Sequence, residues 1–167
     1  MVVIADSSVV NYLILIDAAG ILPAAFGEIL IPQAVLAELQ RPRTPASVAS
    51  WIADRPTWLH VHPATPALDQ HLEKLGPGER ESISLATMHM PDVLLLMDEA
   101  KGRQEAERRH IRFMGTLGVL DKAAAASLID LPTAIDRLLQ TSFYVTPGLL
   151  KAVLDQDSLR RNSSVKE

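Results

Sequence analysis

Two acidic residues each follow directly on a short apolar segment of the chain. Asp6 comes after Val2–Ala5, and Asp98 comes after Val93–Met97. Because the carboxyl ends of parallel strands meet at one edge of a sheet, where ligands commonly bind, we expect both carboxylates to lie at that edge. Each residue also has a simpler interpretation as the N-cap of the helix that follows.

Two glutamates extend this candidate site. Glu38 lies in an expected helix after the second apolar segment, and Glu79 opens another helix directly after a glycine. A solvated helix face would account for Glu38, and a favourable interaction with the helix dipole would account for Glu79. The functional alternative is that both side chains converge on Asp6 and Asp98.

Four converging carboxylates would require a cation. At an effective dielectric constant of about 20, two unit charges about 5 to 8 Å apart repel each other by roughly 2 to 3 kcal/mol. Oxygen ligands select hard cations such as Mg²⁺ or Mn²⁺, and Mg²⁺ is the usual ion where phosphate is another ligand. A bound metal polarises a phosphoryl oxygen and lowers the pKa of an attacking water. The expected chemistry is therefore phosphodiester hydrolysis.

Apolar segments that alternate with helical ones must position these acids. Such alternation is typical of a parallel sheet with helices on both faces, so the predicted fold class is α/β. The expected strands are Val2–Ala5, Ile29–Ile31, Trp58–Val61, Val93–Met97 and Arg112–Met114. The expected helices are Val9–Ile16, Ile21–Phe26, Pro32–Leu39, Ala46–Ala53, Thr65–Leu75, Glu79–Met88, Ala100–His110, Gly115–Ser127, Pro132–Thr141 and Thr146–Leu154.

Length and composition restrict the possible classes of protein. A chain of 167 residues predicts one domain, which we assign to residues 1–157, followed by a polar and flexible C-terminal tail at 158–167. The absence of cysteine excludes disulfides, thiolate zinc sites, iron–sulfur clusters and cysteine nucleophiles. No segment fits a signal peptide or a membrane span, so we expect a cytoplasmic protein that does not contact membranes.

Charge and aromatic content bear on nucleic-acid binding. A net charge of −4 argues against a general nucleic-acid coat but allows a local basic patch or a metal that bridges to phosphate. Aromatic residues make up only 4% of the chain, which argues against a base-stacking platform.

Four segments in order carry the motifs of a known family. They are Val2–Ser8, Ile31–Leu39, Gly78–Ala86 and Leu94–Glu99, the last followed by Gly102-Arg103 and by Gly115–Leu120. These segments resemble the acidic motifs of PIN-domain proteins, as found in VapC-type toxins, and are similar to a branch with GE, DE and GTLG motifs. Members are typically Mg²⁺- or Mn²⁺-dependent ribonucleases, often toxins held inactive by a cognate antitoxin.

The resemblance implies a fold and a set of site residues. The fold would be a three-layer α/β/α sandwich with a parallel sheet of about five strands. Asp6 and Asp98 would bind the catalytic metal directly, and Glu38 and Glu79 would complete the pocket or orient its water. The residues given supporting roles are Ser7, Ser8, Glu99 and Thr116.

Two positions depart from the family pattern. Many PIN domains have Asp where Glu79 stands, and relatives in this branch often have Asp where Glu99 stands. A longer side chain preserves the charge but shifts the metal, and about 1 Å of misplacement can be expensive in catalysis. The implied partners are an RNA substrate, a cognate antitoxin and, for many such toxins, a second copy of the chain.

Arg103 is the candidate substrate-binding residue, because arginine can engage phosphate through two nitrogens. It lies in a helix of mixed charge that Glu105 and Glu107 interrupt, and such a face is usually solvated. Thr116 stands in a helix-opening turn on the same predicted edge, where it would cap the helix or bind phosphate.

Three other interpretations compete with an active nuclease. The chain could be a catalytically silent PIN-like module that acts through protein–protein binding. A phosphorylated receiver domain fits poorly, because paired acids after the first strand are absent. His60 and His62 share a face of an expected strand and suggest zinc, but no third ligand follows at a suitable spacing.

Overall fold

A five-stranded sheet in which all strands are parallel forms the centre of the protein. The computed structural model describes residues 1–63 and 65–164. The strand order is β3-β2-β1-β4-β5, and every neighbouring pair is parallel. The strands are β1 (Val2–Ala5), β2 (Ile29–Pro32), β3 (Leu59–His62), β4 (Val93–Leu96) and β5 (Phe113–Met114). The predicted α/β class is therefore confirmed.

Helices connect these strands. They are α1 (Ser7–Leu15), α2 (Ile21–Phe26), α3 (Gln33–Leu39), α4 (Ala46–Ala53), α5 (Pro77–Met88), α6 (Ala100–Arg108), α7 (Thr116–Ala125), α8 (Leu131–Leu139) and α9 (Pro147–Ser164). Apart from two regions described below, each element begins and ends within two residues of its expected bounds.

The sheet separates two apolar layers, because successive side chains of a strand point to opposite faces. On one face, Val3 and Leu96 belong to a core that includes side chains of α1, α4, α7 and α8. On the other face, Ile4 and Leu95 pack with side chains of α5 and α6. All four strand residues are buried. This arrangement confirms the α/β/α sandwich.

The central pair of strands, β1 and β4, brings two segments with acidic ends side by side. The chain runs outward from β1 through β2 to β3 and then crosses to β4 on the other side of β1, which makes this pair the topological switch point. Ala5 is in register with Leu96, and the Asp6 amide donates a 2.9 Å hydrogen bond to the Leu96 carbonyl. The segments that end in Asp6 and Asp98 therefore meet at one edge, as predicted.

The prediction of a helix at Thr65–Leu75 is wrong. Among the described residues of this segment, only Leu72–Lys74 form one turn of 3₁₀ helix. The carboxylate of Asp69 accepts a hydrogen bond from the His71 amide and forms an ion pair with Arg109. The side chain thus binds a backbone amide that a helix would have used for its own hydrogen bonds. Leu72 and Leu75 are nevertheless buried, which explains the helix-like spacing of the leucines.

The last helix is longer than expected. Residues 158–164, assigned above to a flexible tail, belong to α9, while 165–167 lie outside the described residues. Arg160 pairs with Asp121 at 2.6 Å, and Arg161 pairs with the buried Asp157 at 2.7 Å. These contacts fix the additional turns of the helix. No helix in the described part of the chain is long and apolar enough to cross a membrane.

Candidate active site

A cavity of about 360 Å³ opens where β1 and α5 bring their acidic residues together. We call it the acidic cavity. It is lined by three of the four acids predicted to form the site and by three of the predicted supporting residues, namely Asp6, Glu38, Glu79, Ser7, Ser8 and Glu99. The fourth predicted acid, Asp98, does not line it.

Asp6 lies deepest in this group, with 3% of its surface exposed. It occupies the N-cap position of α1, but its side chain makes no capping hydrogen bond, so the simpler interpretation does not account for it. Oδ2 accepts a 3.2 Å hydrogen bond from the Ser8 hydroxyl, while Oδ1 is buried without a partner. Burial and the nearby Glu38 carboxylate raise the pKa of Asp6 to about 7.

Glu38 is held by two donors from different elements. Its Oε2 accepts a 2.6 Å hydrogen bond from the Ser7 hydroxyl at the start of α1, and its Oε1 accepts a 3.0 Å bond from the Gly78 amide in α5. Arg41 also approaches Oε1 at 3.5 Å. The carboxylate therefore faces the protein, and the interpretation of Glu38 as a solvated helix residue is wrong.

Glu79 combines a structural contact with a free oxygen. Its Oε2 accepts a 2.8 Å hydrogen bond from the Gly76 amide, which stabilises the first turn of α5. Its Oε1 is buried and makes no hydrogen bond. Burial, followed by repulsion from Glu99 and Glu38, raises the pKa of Glu79. Helix capping thus explains the position of Oε2 but not the burial of Oε1 without a partner.

Four carboxylates of the cavity interact electrostatically. Glu38 and Glu79 both raise the pKa of Asp6, and Glu99 acts in the same direction on Glu79. Glu99 precedes α6 and is exposed, and its side chain does not cap that helix. The acidic group in the structure therefore consists of Asp6, Glu38, Glu79 and Glu99.

Asp98 differs from its predicted position in the shared pocket. Its Oδ1 accepts a 2.8 Å hydrogen bond from the Thr116 amide, and its Oδ2 accepts a 2.6 Å bond from the Thr116 hydroxyl. Thr116 is fully buried, so both of its donors are used in joining β4 to the start of α7. Asp98 therefore lines a separate cavity instead of the acidic one, and its role as a metal ligand stays a prediction.

Arg103 lies beside Asp98 in that second cavity. Its Nε donates a 2.9 Å hydrogen bond to the Met97 carbonyl, and its guanidinium lies 5.6 Å from the centre of the Phe113 ring. A Cβ at Gly115 would collide with this guanidinium and would lie 2.7 Å from Oδ1 of Asp98. The first glycine of the GTLG segment is thus needed for close approach.

Sequence reasoning missed four polar or aromatic residues that line the acidic cavity. They are Asn11, Tyr12, Arg41 and Thr44. Asn11 and Tyr12 interrupt an otherwise apolar helical segment, and that interruption was the available signal. Arg41 and Thr44 lie in a proline-rich loop, and the sequence does not show towards which part of the protein this loop turns. In the structure the Thr44 hydroxyl donates a 3.2 Å hydrogen bond to the Glu38 carbonyl, which holds the loop at the cavity.

The donor atoms of the acidic cavity fit a hard cation in part. Asp6 and Glu79 each offer a buried oxygen without a hydrogen-bond partner, next to further negative charge. Within residues 1–63 and 65–164, however, no group of three or more His, Asp or Glu side chains is arranged to hold one metal ion. Glu38, the neighbouring carboxylate, accepts hydrogen bonds from Ser7 and Gly78.

Comparison with known proteins bears on the family of the chain. No curated protein and no solved structure matches it. A family model described as a PIN domain matches residues 2–158, nearly the whole chain. This range contains all five strands and every residue of the acidic cavity. The chain therefore belongs to the PIN-domain family.

Proposed function

We propose that this protein is a metal-dependent ribonuclease that hydrolyses phosphodiester bonds of RNA in the acidic cavity. PIN domains are generally nucleases and typically use divalent metal ions. The observation that supports the proposal best is that Asp6 and Glu79 line one cavity at the edge of the sheet. Each of them also has a buried oxygen, Oδ1 of Asp6 and Oε1 of Glu79, that makes no hydrogen bond. Leaving such atoms unpaired is expensive unless something else binds them.

Mg²⁺ and Mn²⁺ are the ions we propose. Mg²⁺ usually keeps several water molecules and is bound by one or two carboxylates together with substrate phosphates, so three protein ligands are not required. Asp6 and Glu79 would hold the ion, and Glu38 and Glu99 would add negative charge around it. When bound, such an ion polarises the phosphoryl oxygen and lowers the pKa of a water molecule.

The protein's own residues prepare the cavity for this chemistry. Ser7 fixes Glu38 and Ser8 fixes Asp6, so the two serines orient carboxylates that would otherwise repel each other. Arg41 stands at the same cavity with 60% of its side chain exposed, and its contact with Glu38 is long, at 3.5 Å. Its guanidinium is therefore available to attract a phosphate.

We further propose that the enzyme is the toxin of a type II toxin–antitoxin pair. The support is the resemblance of its four motifs to those of VapC-type toxins. Expression of the chain should then arrest growth, and the Asp6→Asn variant should not. Equal toxicity of the two forms, at equal protein levels, would contradict this part of the proposal.

RNA cleavage tests the enzymatic proposal. A panel of structured and single-stranded RNAs is incubated with Mg²⁺ or Mn²⁺ and wild-type protein, Asp6→Asn, Glu79→Gln or the control Asp136→Asn, which changes an exposed acid of α8. Wild type and the control should cleave, and the two cavity variants should lose at least about 100-fold in rate. Cleavage that persists in EDTA, or in Asp6→Asn at the wild-type rate, would contradict the proposal.

A catalytically silent module that binds a protein partner is the second candidate. The observation that favours it is that both oxygens of Asp98 accept hydrogen bonds from Thr116, and that Asp98 lines a different cavity from the other three acids. A silent module should show no saturable stabilisation by Mn²⁺, whereas the ribonuclease should, because an ion that binds only the folded state raises its stability.

A further inference from the structure

A second, smaller cavity lies next to the acidic one. Its volume is about 200 Å³, and its walls include Asp98, Arg103, Phe143 and Tyr144. We call it the aromatic pocket. The Phe143 ring packs edge-on against Tyr12, with 5.1 Å between the ring centres, and Tyr12 lines the acidic cavity. The two cavities therefore share a wall.

Aromatic side chains are concentrated at this place, although the chain has few of them. Phe143 and Tyr144 line the pocket, Tyr12 packs against Phe143, and the Phe113 ring lies 5.6 Å from the guanidinium carbon of Arg103, so both tyrosines and two of the three phenylalanines of the sequence lie in or beside the pocket. The low aromatic content led us to expect no base-stacking platform. Their clustering at one place nevertheless provides the one or two rings that a single base needs.

The loop that carries Tyr144 is held in place by specific contacts. The Thr141 hydroxyl donates to the Leu138 carbonyl at 2.6 Å and accepts from the Phe143 amide at 3.1 Å. Ser142 is linked to the hydroxyl of Tyr12 at 3.2 Å. Tyr144 follows this anchored segment and is 82% exposed, so its ring is presented to solvent by a fixed loop.

Arg103 supplies a planar cation to the same pocket. Its Nε donates to the Met97 carbonyl, and its central carbon lies over the Phe113 ring, 5.6 Å from the ring centre. Its terminal amino groups make no hydrogen bond with any described residue. They are therefore free to donate to a base edge or to a phosphate.

We propose that the aromatic pocket binds one unpaired nucleobase of the RNA strand whose phosphate lies in the acidic cavity. Tyr144 stacks on the base, and Arg103 donates hydrogen bonds to its edge or to the adjoining phosphate. Single-stranded RNA is recognised in this way, by bases placed on aromatic rings and arginine planes. The volume is below the about 300 to 1,000 Å³ of pockets for drug-sized ligands, which suits a single base.

This inference rests on the proposed function and adds a specificity determinant to it. Because the base must be unpaired to enter, the pocket selects single-stranded over duplex RNA near the cleaved bond. Tyr144 and Arg103 are substrate-binding residues in this account, and neither holds the metal.

Binding of labelled RNA tests the pocket separately from cleavage. Fluorescence anisotropy is measured with Mg²⁺ on the full chain carrying Asp6→Asn, which we call the parent and into which the other substitutions are introduced. The RNA is checked on gels to be intact. The variants are Tyr144→Ala, Tyr144→Phe, which keeps the ring, and Met88→Ala, which truncates an exposed side chain at the opposite end of α5 from Glu79. RNAs with one abasic nucleotide at each successive position locate the bound base.

The expected result has three parts. Tyr144→Ala should weaken binding of single-stranded RNA by about 5- to 150-fold, the range for loss of one stacked base. Tyr144→Phe and Met88→Ala should stay within about twofold of the parent. An abasic nucleotide at one position should weaken binding to the parent by a similar factor and have no further effect in Tyr144→Ala.

Other results would contradict the proposal that this pocket binds a base. If Tyr144→Ala binds RNA as the parent does, or if no abasic position is coupled to it, the exposed ring does not bind a base and a protein contact becomes its explanation. Failure of the parent to bind any RNA has the same consequence. If the coupling is found but the wild-type protein cleaves no RNA, the pocket stands and the ribonuclease proposal is wrong.

Discussion

The amide of Gly78 donates a 3.0 Å hydrogen bond to Oε1 of Glu38, so the start of α5 and the end of α3 meet directly at the acidic cavity. This approach requires glycine, because a Cβ at position 78 would lie 2.5 Å from Oε2 and 2.8 Å from the carboxyl carbon of Glu38. The carboxylate and the helix start are thus positioned by one contact.

Gly78→Ala should therefore displace Glu38 and reduce cleavage. We expect a loss of about 100-fold in rate if the carboxylate moves by about 1 Å, together with about 1 to 3 kcal/mol of stability from overpacking. Gly148→Ala is the matched control, because a Cβ there meets nothing within 4 Å. Rates of RNA cleavage and urea unfolding measure both effects, and full activity in Gly78→Ala would contradict the role of this contact.

The raised pKa of Asp6 predicts a pH dependence of stability without metal. Its pKa is about 7 in the folded protein against an ordinary value of 3.8, so the folded state binds the proton more tightly. The folded state must then lose stability as the pH rises from about 4 to about 7, by an amount on the order of 4 kcal/mol at most. Asp6→Asn removes this loss.

Urea unfolding in EDTA at several pH values measures this effect. Asp6→Asn should be more stable than wild type at pH 8, and the difference should shrink towards pH 4. The control Asp136→Asn should follow the wild-type curve. If the unfolding free energies of wild type and Asp6→Asn change in parallel with pH, folding does not raise the pKa of Asp6 and the prediction is wrong.

Asp98 and Glu99 should respond differently to substitution. Thr116→Val removes the hydroxyl that donates to Asp98 at 2.6 Å, and should lower the unfolding free energy by about 1 to 3 kcal/mol. Glu99→Gln leaves helix capping unaffected and should weaken Mn²⁺ binding with little change in stability. Glu107→Gln, an exposed substitution on the same helix, should change neither. A Glu99→Gln variant that is destabilised but keeps its Mn²⁺ affinity would show that Glu99 contributes to stability and not to metal binding, and would contradict this prediction.

The end of α9 should contribute to stability. Truncation after Asp157 removes Arg160 and Arg161, which both pair with the Asp157 carboxylate and leave it only 5% exposed in the full chain. We expect a loss of about 1 to 3 kcal/mol. A truncation that removes only residues 165–167 serves as the control. Equal thermal stability of the two truncated forms would support the flexible tail that the sequence suggested.

The position of three of the four predicted acids follows from features that a sequence carries. Parallel strands of apolar residues end at a common edge, and Asp6 follows one of them directly. Glu38 and Glu79 lie on α3 and α5, which come after the carboxyl ends of β2 and β3. The orientation of Asp98 could not be predicted, because it depends on two donors of Thr116, 18 residues further along the chain.

Contacts between distant residues also explain the other differences. The leucine spacing at Thr65–Leu75 is the same for a helix and for a buried turn, and the ion pair of Asp69 with Arg109 lies 40 residues away in sequence. The polar residues of the expected tail become helical because Arg160 reaches Asp121 in α7. Composition gives the number of aromatic residues but not their clustering beside Arg103.

The central claim is that the acidic cavity holds a divalent cation, and calorimetric titration of Mn²⁺ tests it most directly. Wild-type protein and the control Glu81→Gln, whose native carboxylate bonds to the Ala34 amide instead of lining the cavity, are compared with Asp6→Asn and Glu79→Gln. The account predicts saturable Mn²⁺ binding by the first two proteins and a loss of at least about tenfold in affinity in the last two. Absence of saturable binding by the wild type, or equal affinity in Asp6→Asn, would contradict it.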